Sequence, residues 1–354
     1  MSKKGSKAII IFFSIVLTVV LVALTALFIA RLFLATDDGG KASAANKKNE
    51  DTTSMPETED KYLNVLMLGS DEASGLYDMM MIMSYNMTQQ SVSVVQIPRD
   101  TYLEYTSGNY RKINGAIAAL GGEKQFCEFL SDAMCISIDN YFSIDLDAMG
   151  EIVDVLGGIE INIPFDMNYD DPEQALSIHL KKGKTMLDGD MARQFVRYRS
   201  GYTDGDVGRI DAQKIFLAAL VNKLKSDTSF FELTEVITSV IDDVKTDMSI
   251  SNIISLARQA FSIQADKIRF VTLAGEGTIA SKSGASYYVI SRPAAIRIVN
   301  EFLGARANSD NFDKDRLFLN ERYDSFGEIY YRDIDFQVYD ANSLVSYGIE
   351  ISHK

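Results

Sequence analysis

The sequence predicts an α/β protein in which a mixed central β-sheet is covered by helices, preceded by an N-terminal single-pass transmembrane helix. Apolar runs of strand length and stretches with helical apolar spacing follow each other along the chain after residue 61, a mixture that is typical of layered α/β folds. The length of 354 residues suffices for one large domain or two ordinary ones with an ample core. A long uncharged apolar run near the N-terminus predicts the membrane helix.

The N-terminal segment also predicts the orientation in the membrane. Residues Ala8 to Ala30 carry no charge, and at ~1.5 Å per helical residue they span roughly 34 Å, enough for a bilayer core. We expect a retained transmembrane helix over 8–34, because the apolar region of a cleaved signal peptide is shorter. Lysines in the tail 1–7 predict that this end is cytoplasmic and that the rest of the chain lies outside. The polar segment 35–61 reads as a flexible extracellular linker.

The folded part is expected to begin near Tyr62 with three strands, of which the last two form a hairpin around the polar MTQQ. Apolar runs rich in β-branched residues predict strands at LNVLMLGSD, MMMIMSYN, SVSVVQIP, CISIDNYFSID, GIEINIP, KIRFVTL and SYYVIS. Helical apolar spacing predicts helices at KINGAIAAL, EKQFCEFLSDAM, LDAMGEIVDVL, GDMARQFVRYR, VGRIDAQKIFLAALVNKLK, FFELTEVITSVIDDV, ISNIISLARQA and RPAAIRIVNEFLG.

Arginines are concentrated in one stretch of an otherwise acidic chain. The net charge of −14 argues against a nucleic-acid partner, which requires a broad basic face. Against that background Arg197, Arg199 and Arg209 indicate a bound anion, because planar guanidinium groups bind phosphate oxygens bidentately. The alternative is that the first two are the favourable cations of a helix C-terminus. Asp206 is interpreted as a cap of the helix that starts near Val207.

Polar side chains cluster where the first three predicted strands begin or end. Asp71 follows the first strand, Asp78 precedes the second, and Arg99 and Asp100 follow the third. If the second strand runs antiparallel to the other two, all four residues meet at one edge of the sheet, where ligands favour strand ends. Two carboxylates and an arginine there could hold a divalent metal and a phosphate. The alternatives are a turn or helix cap for Asp71 and a surface turn after the proline.

The two cysteines, Cys127 and Cys135, predict a disulfide if this part of the chain is extracellular. Residues eight positions apart in one unbroken helix are about 12 Å apart, too far to bridge. The bond therefore requires the helix to end between them, which the sequence SDAM before CISID permits. Two free thiols are the alternative.

A series of ordered motifs resembles the LytR-CpsA-Psr family. The resemblance covers roughly Tyr62 to Lys225, which gives a catalytic domain at 62–225 and a C-terminal continuation of the extracellular α/β region at 226–354. The motifs that carry it are NVLMLGSD, DMMMIMSYN, VSVVQIPRDTYLEY, RKINGAIAALGG, IDNYFSIDLDAMGEIVDVLGGIEINIPFD, LDGDMARQFVRYRS and GDVGRIDAQKIFLAAL.

The resemblance implies an extracytoplasmic enzyme that moves a glycopolymer from a polyprenyl-pyrophosphate carrier onto a hydroxyl of peptidoglycan, with an apolar groove for the lipid tail. Asp71 and Asp78 match the metal positions, for Mg²⁺ or Mn²⁺. Gln213 and, with a weaker match, Lys112 correspond to polar positions of the substrate pocket, and Asp100 is counted with the catalytic residues. The arginines that match the pyrophosphate-binding positions are Arg99, Arg197, Arg199 and Arg209.

One departure from the family pattern concerns Leu76, where members usually have an arginine two residues before the second metal-site aspartate. This departure keeps a second class of function open, a regulatory protein that binds polyprenyl (pyro)phosphate with little turnover. A third reading is a polyprenyl-pyrophosphate pyrophosphatase, for which water is the acceptor. The sequence alone does not identify the glycopolymer.

Overall fold

The computed structural model describes residues 60–71, 76–104, 112–172, 176–203, 206–227, 244–281, 283–319, 324–346, 349 and 351. The strands are β1 (Tyr62–Asp71), β2 (Leu76–Asn86), β3 (Ser91–Gln96), β4 (Asn140–Asp145), β5 (Ile159–Ile163), β6 (Met167–Asp171), β7 (Leu176–Leu180), β8 (Gly183–Leu187), β9 (Lys245–Thr246), β10 (Ile268–Thr272), β11 (Gly275–Ile279), β12 (Ser286–Ile290) and β13 (Val338–Asp340). The α-helices are α1 (Ala116–Leu120), α2 (Glu123–Met134), α3 (Leu146–Val155), α4 (Gly189–Arg197), α5 (Asp206–Asp227), α6 (Ile250–Ala260), α7 (Arg292–Leu303), α8 (Asp324–Tyr331) and α9 (Ala341–Ser346).

A seven-stranded mixed sheet forms the centre of the fold, in the order β13-β10-β3-β2-β1-β4-β9. Strand β2 runs antiparallel to both β1 and β3, as the sequence predicts. Strands β4 and β10 pair in parallel with β1 and β3. The predicted α/β class with a mixed sheet is confirmed, and β10 and β13 come from the part of the chain after residue 226.

Helices cover both faces of the sheet because the central strands bury side chains in both directions. Along β1, Val65 and Met67 pack into a core with α3, α4, α5 and α6. Leu66 and Leu68, between them, pack into a second core with α1, α2, α7 and α8. Burial on both faces explains the nearly continuous apolar runs of these strands.

The predicted membrane helix is not among the elements that the structure describes. The tail 1–7, the helix 8–34 and the linker 35–61 lie outside the described residues up to position 59, as does most of the helix predicted at FFELTEVITSVIDDV. Within the described ranges, none of the helices combines the length and the apolar character that a membrane crossing requires.

The predicted disulfide between Cys127 and Cys135 is wrong for this structure, in which both cysteines are free. Helix α2 continues to Met134, and Cys135 itself ends it in a left-handed conformation with φ of 56°. The segment between the two cysteines is therefore helical up to Met134, and a helix of this length holds the two thiols too far apart for a disulfide. The strand predicted from CISID onward is shorter than expected, and β4 begins only at Asn140.

Candidate active site

A small cavity of about 70 Å³, the arginine cavity, lies where the helices α4 and α5 meet the end of the sheet. The described residues that line it are Asp78, Arg99, Tyr169, Leu176, Arg197, Arg199 and Arg209. Five of these seven are site residues that the sequence predicts. A cavity of this size among four guanidinium groups suits a phosphate group rather than a sugar, because each guanidinium can bind two phosphate oxygens.

A β-bulge turns Asp78 toward the arginines. The β1–β2 register shifts between Gly69, which pairs with Met79, and Ser70, which pairs with Tyr77. Strict alternation along β2 would place Asp78 on the side of Met80, in the core away from α4 and α5. With the extra residue, Tyr77 packs against that core instead, and Asp78 lines the arginine cavity. Bulges often redirect a side chain beside an active site in this way.

A tight turn after β3 carries Arg99 into the centre of the charged groups. The N–H of Thr101 donates to the carbonyl of Pro98 at 3.0 Å, which closes the turn. Arg99 donates a hydrogen bond to Asp78, and its Nε lies 3.4 Å from Oδ1 of Asp206. Burial alone would lower the pKa of Arg99, but these carboxylates and Asp100 outweigh it and raise the pKa. Arg99 is thus a cation held between Asp78 at the start of β2 and Asp206 in the first turn of α5.

Arg209 is buried, with only 3% of its surface exposed. Its Nη2 lies 2.7 Å from Oδ1 of Asp206. Burial nevertheless lowers the pKa of Arg209, with Arg99 acting in the same direction and Asp206 opposing it. An arginine stays protonated at any working pH, so this buried cation favours a nearby anion. A phosphate in the arginine cavity would balance it.

The other two arginines are placed by the end of α4 and the loop that follows. Arg197 ends the helix, and Arg199 is exposed two residues later. The loop is anchored by Tyr202, which packs at 5.5 Å between ring centroids against both Phe165 and Tyr198. Gly208 allows this packing, since a Cβ there would lie 2.6 Å from Tyr202. The arginines that the sequence groups together therefore line the cavity from a helix end and a fixed loop.

Three of the predicted residues lie outside the lining of the arginine cavity. Gln213 is buried below it, where its Oε1 accepts a hydrogen bond of 2.8 Å from Gln96. Lys112 forms a 2.8 Å ion pair with Asp100, which lines a neighbouring cavity instead. These contacts support the turn that carries Arg99 and the helix α5 that carries Arg209.

The predicted metal position Asp71 ends β1 and pairs with Leu76 across the strands. Its side chain lies outside the described part of the chain. Among the described residues, no group of three or more His, Cys, Asp or Glu side chains could enclose a metal ion. Mg²⁺ usually needs only one or two carboxylates when phosphate oxygens complete its shell. The carboxylate of Asp78 beside the four arginines of the cavity fits that kind of site.

Asp206 is the charged residue whose role the sequence misses. The sequence interprets it as a helix cap, whereas the structure places it in the first turn of α5, between Arg99 and Arg209. Its spacing of three residues from Arg209 is the signal that points to a shared helix face. Tyr169 and Leu176 lie in the short β6–β7 hairpin, which the sequence analysis does not predict.

Leu76 begins β2 and is not among the residues that line the arginine cavity. We expect Leu76→Arg to leave the glycopolymer transfer that the family resemblance implies unchanged or to raise it, because a fifth guanidinium at this strand end would add positive charge near the expected phosphate. The measurement is kcat/KM for transfer, with Leu76→Met as the uncharged control. Lower activity together with weaker lipid binding would instead place Leu76 in the wall of the lipid groove.

Arginines and a carboxylate gathered at one end of a mixed sheet are typical of a protein that binds a phosphate-bearing ligand. The family model described as the LytR_cpsA_psr family matches residues 28–302, and the chain belongs to this family. The match extends well beyond the region 62–225 that carries the sequence motifs.

Curated relatives have names that state an activity. The chain is 25% identical over 295 residues to the polyisoprenyl-teichoic acid–peptidoglycan teichoic acid transferase TagV of Bacillus subtilis (strain 168), covering 81% of this chain and 75% of that protein. It is 27% identical over 314 residues to the transferase TagU of Enterococcus faecalis, covering 84% of this chain and 97% of that protein.

Solved structures show the same fold. The crystal structure of B. subtilis TagV aligns with a TM-score of 0.59 at 23% identity, over 71% of this chain and 100% of that chain. TagT bound to LIIa-WTA aligns with a TM-score of 0.56 at 22% identity, over 72% of this chain and 95% of that chain.

Proposed function

We propose that this protein is a membrane-anchored, extracytoplasmic phosphotransferase that attaches a glycopolymer from a polyprenyl-pyrophosphate carrier to peptidoglycan. The observation that carries the proposal is the arginine cavity, in which four arginines and Asp78 surround a space that suits a phosphate group. Family membership and the transferases among the relatives support it. The polyisoprenyl-linked teichoic acid in their names makes a teichoic acid the first glycopolymer to test.

The arrangement acts mainly on charge. During transfer, negative charge grows on the polyprenyl phosphate that leaves, and preorganised cations at that place lower the barrier. Arg99 and Arg209 are suited to this task because Asp78 and Asp206 hold them before substrate arrives. Arg197 and Arg199, nearer the surface, would bind the outer phosphate oxygens and align the carrier.

A divalent cation, Mg²⁺ or Mn²⁺, is part of the proposal. Asp78, and Asp71 at the end of the adjacent strand, would hold it together with phosphate oxygens. When bound, such an ion withdraws charge from the phosphoryl oxygens and so assists the departure of the leaving group.

A reconstituted reaction tests the function. Purified protein, a polyprenyl-pyrophosphate-linked teichoic acid precursor and isolated peptidoglycan should give covalently attached polymer when Mg²⁺ is present. Attached polymer is measured after detergent washing of the wall material. Release of free glycan phosphate without attachment would identify a pyrophosphatase, and tight carrier binding without either product would identify a regulatory protein.

The topology needs its own test. We expect the segment after residue 35 to face outward, because lysines precede the apolar run and none interrupts it. In a protein whose two cysteines are changed to serine, a Ser43→Cys variant should react with a membrane-impermeant maleimide on intact cells. A matched Ser6→Cys variant, in the N-terminal tail, should react only after lysis. The reverse pattern would contradict the proposed orientation.

A further inference from the structure

A second cavity, the hairpin cavity, adjoins the charged groups of the candidate active site. Its volume is about 210 Å³, below the roughly 300–1,000 Å³ of pockets for drug-sized ligands, so it suits a single ring rather than a chain. Its walls come from the Arg99 turn, the first turns of α5 and the β11–β12 hairpin. The lining residues that matter here are Asp100, Asp206, Gly277, Ser286, Tyr287 and Tyr288.

The hairpin is fixed to the turn that carries Arg99. The N–H of Tyr288 donates to the carbonyl of Asp100 at 2.8 Å, and the N–H of Tyr102 donates to the carbonyl of Tyr288 at 2.8 Å. The hydroxyl of Tyr288 donates in turn to the carbonyl of Leu273 at 3.0 Å. A ligand held by the hairpin is therefore held in register with Arg99.

Asp206 connects the two cavities. It pairs with Arg99 and Arg209, which line the arginine cavity, and it also lines the hairpin cavity. Its Oδ1 is taken up by these two arginines, whereas its buried Oδ2 accepts no hydrogen bond from the described residues. A buried acceptor without a hydrogen bond is unfavourable, so Oδ2 would favour a hydroxyl donor in the hairpin cavity.

The chemistry of the lining favours a neutral ligand rich in hydroxyl groups. Neither lysine nor arginine is among the described lining residues, and two carboxylates are, which disfavours a phosphate. The lining includes the apolar residues Val207 and Ile210, two tyrosines, and Ser286, which carries a hydroxyl. Apolar walls with a few placed polar groups are typical of small-molecule sites, and a sugar ring has the matching combination of C–H surface and hydroxyls.

We propose that the hairpin cavity binds the acceptor sugar of peptidoglycan, an inference that rests on the proposed function. The acceptor oxygen would then attack the phosphorus that carries the glycopolymer and form a new P–O bond to it. The bond from that phosphorus to the bridging oxygen breaks, and polyprenyl phosphate leaves with the electron pair. The hydroxyl proton passes to Asp206, which lies between the two cavities.

A cavity-filling variant tests the proposal without touching a charged residue. Gly277 lies directly opposite Tyr288 in the hairpin, and a Cβ added there would meet no atom within 4 Å. Gly277→Leu should therefore fold, and because Gly277 lines the hairpin cavity, the added side chain should narrow it. We expect the KM for the peptidoglycan acceptor to rise by roughly tenfold or more, a loss of about 1.4 kcal/mol, while binding of the carrier-linked donor is unchanged.

The matched control is Gly327→Leu in α8, where an added Cβ also meets no atom within 4 Å and no described cavity is lined. An unchanged acceptor KM in Gly277→Leu would overturn the proposal. An equal loss of donor binding would also overturn it, because the cavity would then hold the first sugar of the donor.

A binding measurement keeps this inference separate from the proposed function. If the unmodified protein transfers nothing, the proposed function fails, and the cavity is tested directly with a soluble oligosaccharide of N-acetylglucosamine and N-acetylmuramic acid. NMR shifts at Ser286 and Tyr287 that saturate in the unmodified protein and weaken in Gly277→Leu would support the site. Absence of such shifts would refute it.

Discussion

Replacing Arg99 with alanine should lower kcat/KM for transfer by roughly 10- to 150-fold. A hydrogen bond to a charged group contributes about 1.5–3 kcal/mol, and about 1.4 kcal/mol corresponds to a tenfold change in rate. Arg99 contacts Asp78 and lies 3.4 Å from Asp206, so its loss also leaves carboxylates without their common cation. Most of the loss should fall on kcat, because the charge to be stabilised develops in the transition state.

The matched control is Arg193→Ala on helix α4. Arg193 pairs with Asp190 and Asp147 and is not among the residues lining the arginine cavity. Its removal should change kcat/KM little. Arg99→Lys should recover only part of the activity, because an ammonium group cannot bind two phosphate oxygens in a planar fork. Full activity in Arg99→Ala would remove the arginine cavity from the mechanism.

Asp78→Asn should reduce metal-dependent transfer by roughly a hundredfold or more, since a metal ion supplies several kcal/mol of charge stabilisation. Asparagine keeps the shape of the side chain and removes its charge, so the unfolding temperature should change little. The experiment measures transfer against Mg²⁺ concentration for Asp71→Asn and Asp78→Asn, with exposed Asp190→Asn as the control. If either variant unfolds readily while its folded fraction is fully active, that aspartate has a structural role only.

The central sheet could be predicted because its strands are buried on both faces and therefore read as apolar runs. The meeting of Asp78 and Arg99 followed from one inference, that β2 is antiparallel to β1 and β3. The convergence of Arg197, Arg199 and Arg209 was predicted from their density in an acidic chain and from the family resemblance. These are local signals, which a single sequence contains.

The other features of the site could not be predicted, because they arise from contacts that leave no local signal in the sequence. The bulge that redirects Asp78 arises from the pairing of two strands and leaves no mark in the residue types. Strands β6 and β7 alternate in burial but are only five residues long each, and the hairpin that completes the arginine cavity was not predicted. The contact between the β11–β12 hairpin and Asp100 joins segments far apart in sequence. Asp206 was ambiguous because capping and ion pairing use the same residue type.

The pairing of β3 with β10 sets the order in which the chain can fold. Partners such as Ser93 and Arg269 are 176 residues apart, and such contacts form slowly because a long loop must close first. In a chain that emerges N-terminus first, β10 becomes available only after helices α4 and α5, which carry Arg197 and Arg209, have emerged. Until then β3 is an edge strand whose free backbone groups can pair with another chain. The topology therefore leaves this edge open to association with other chains until the C-terminal part of the chain is in place.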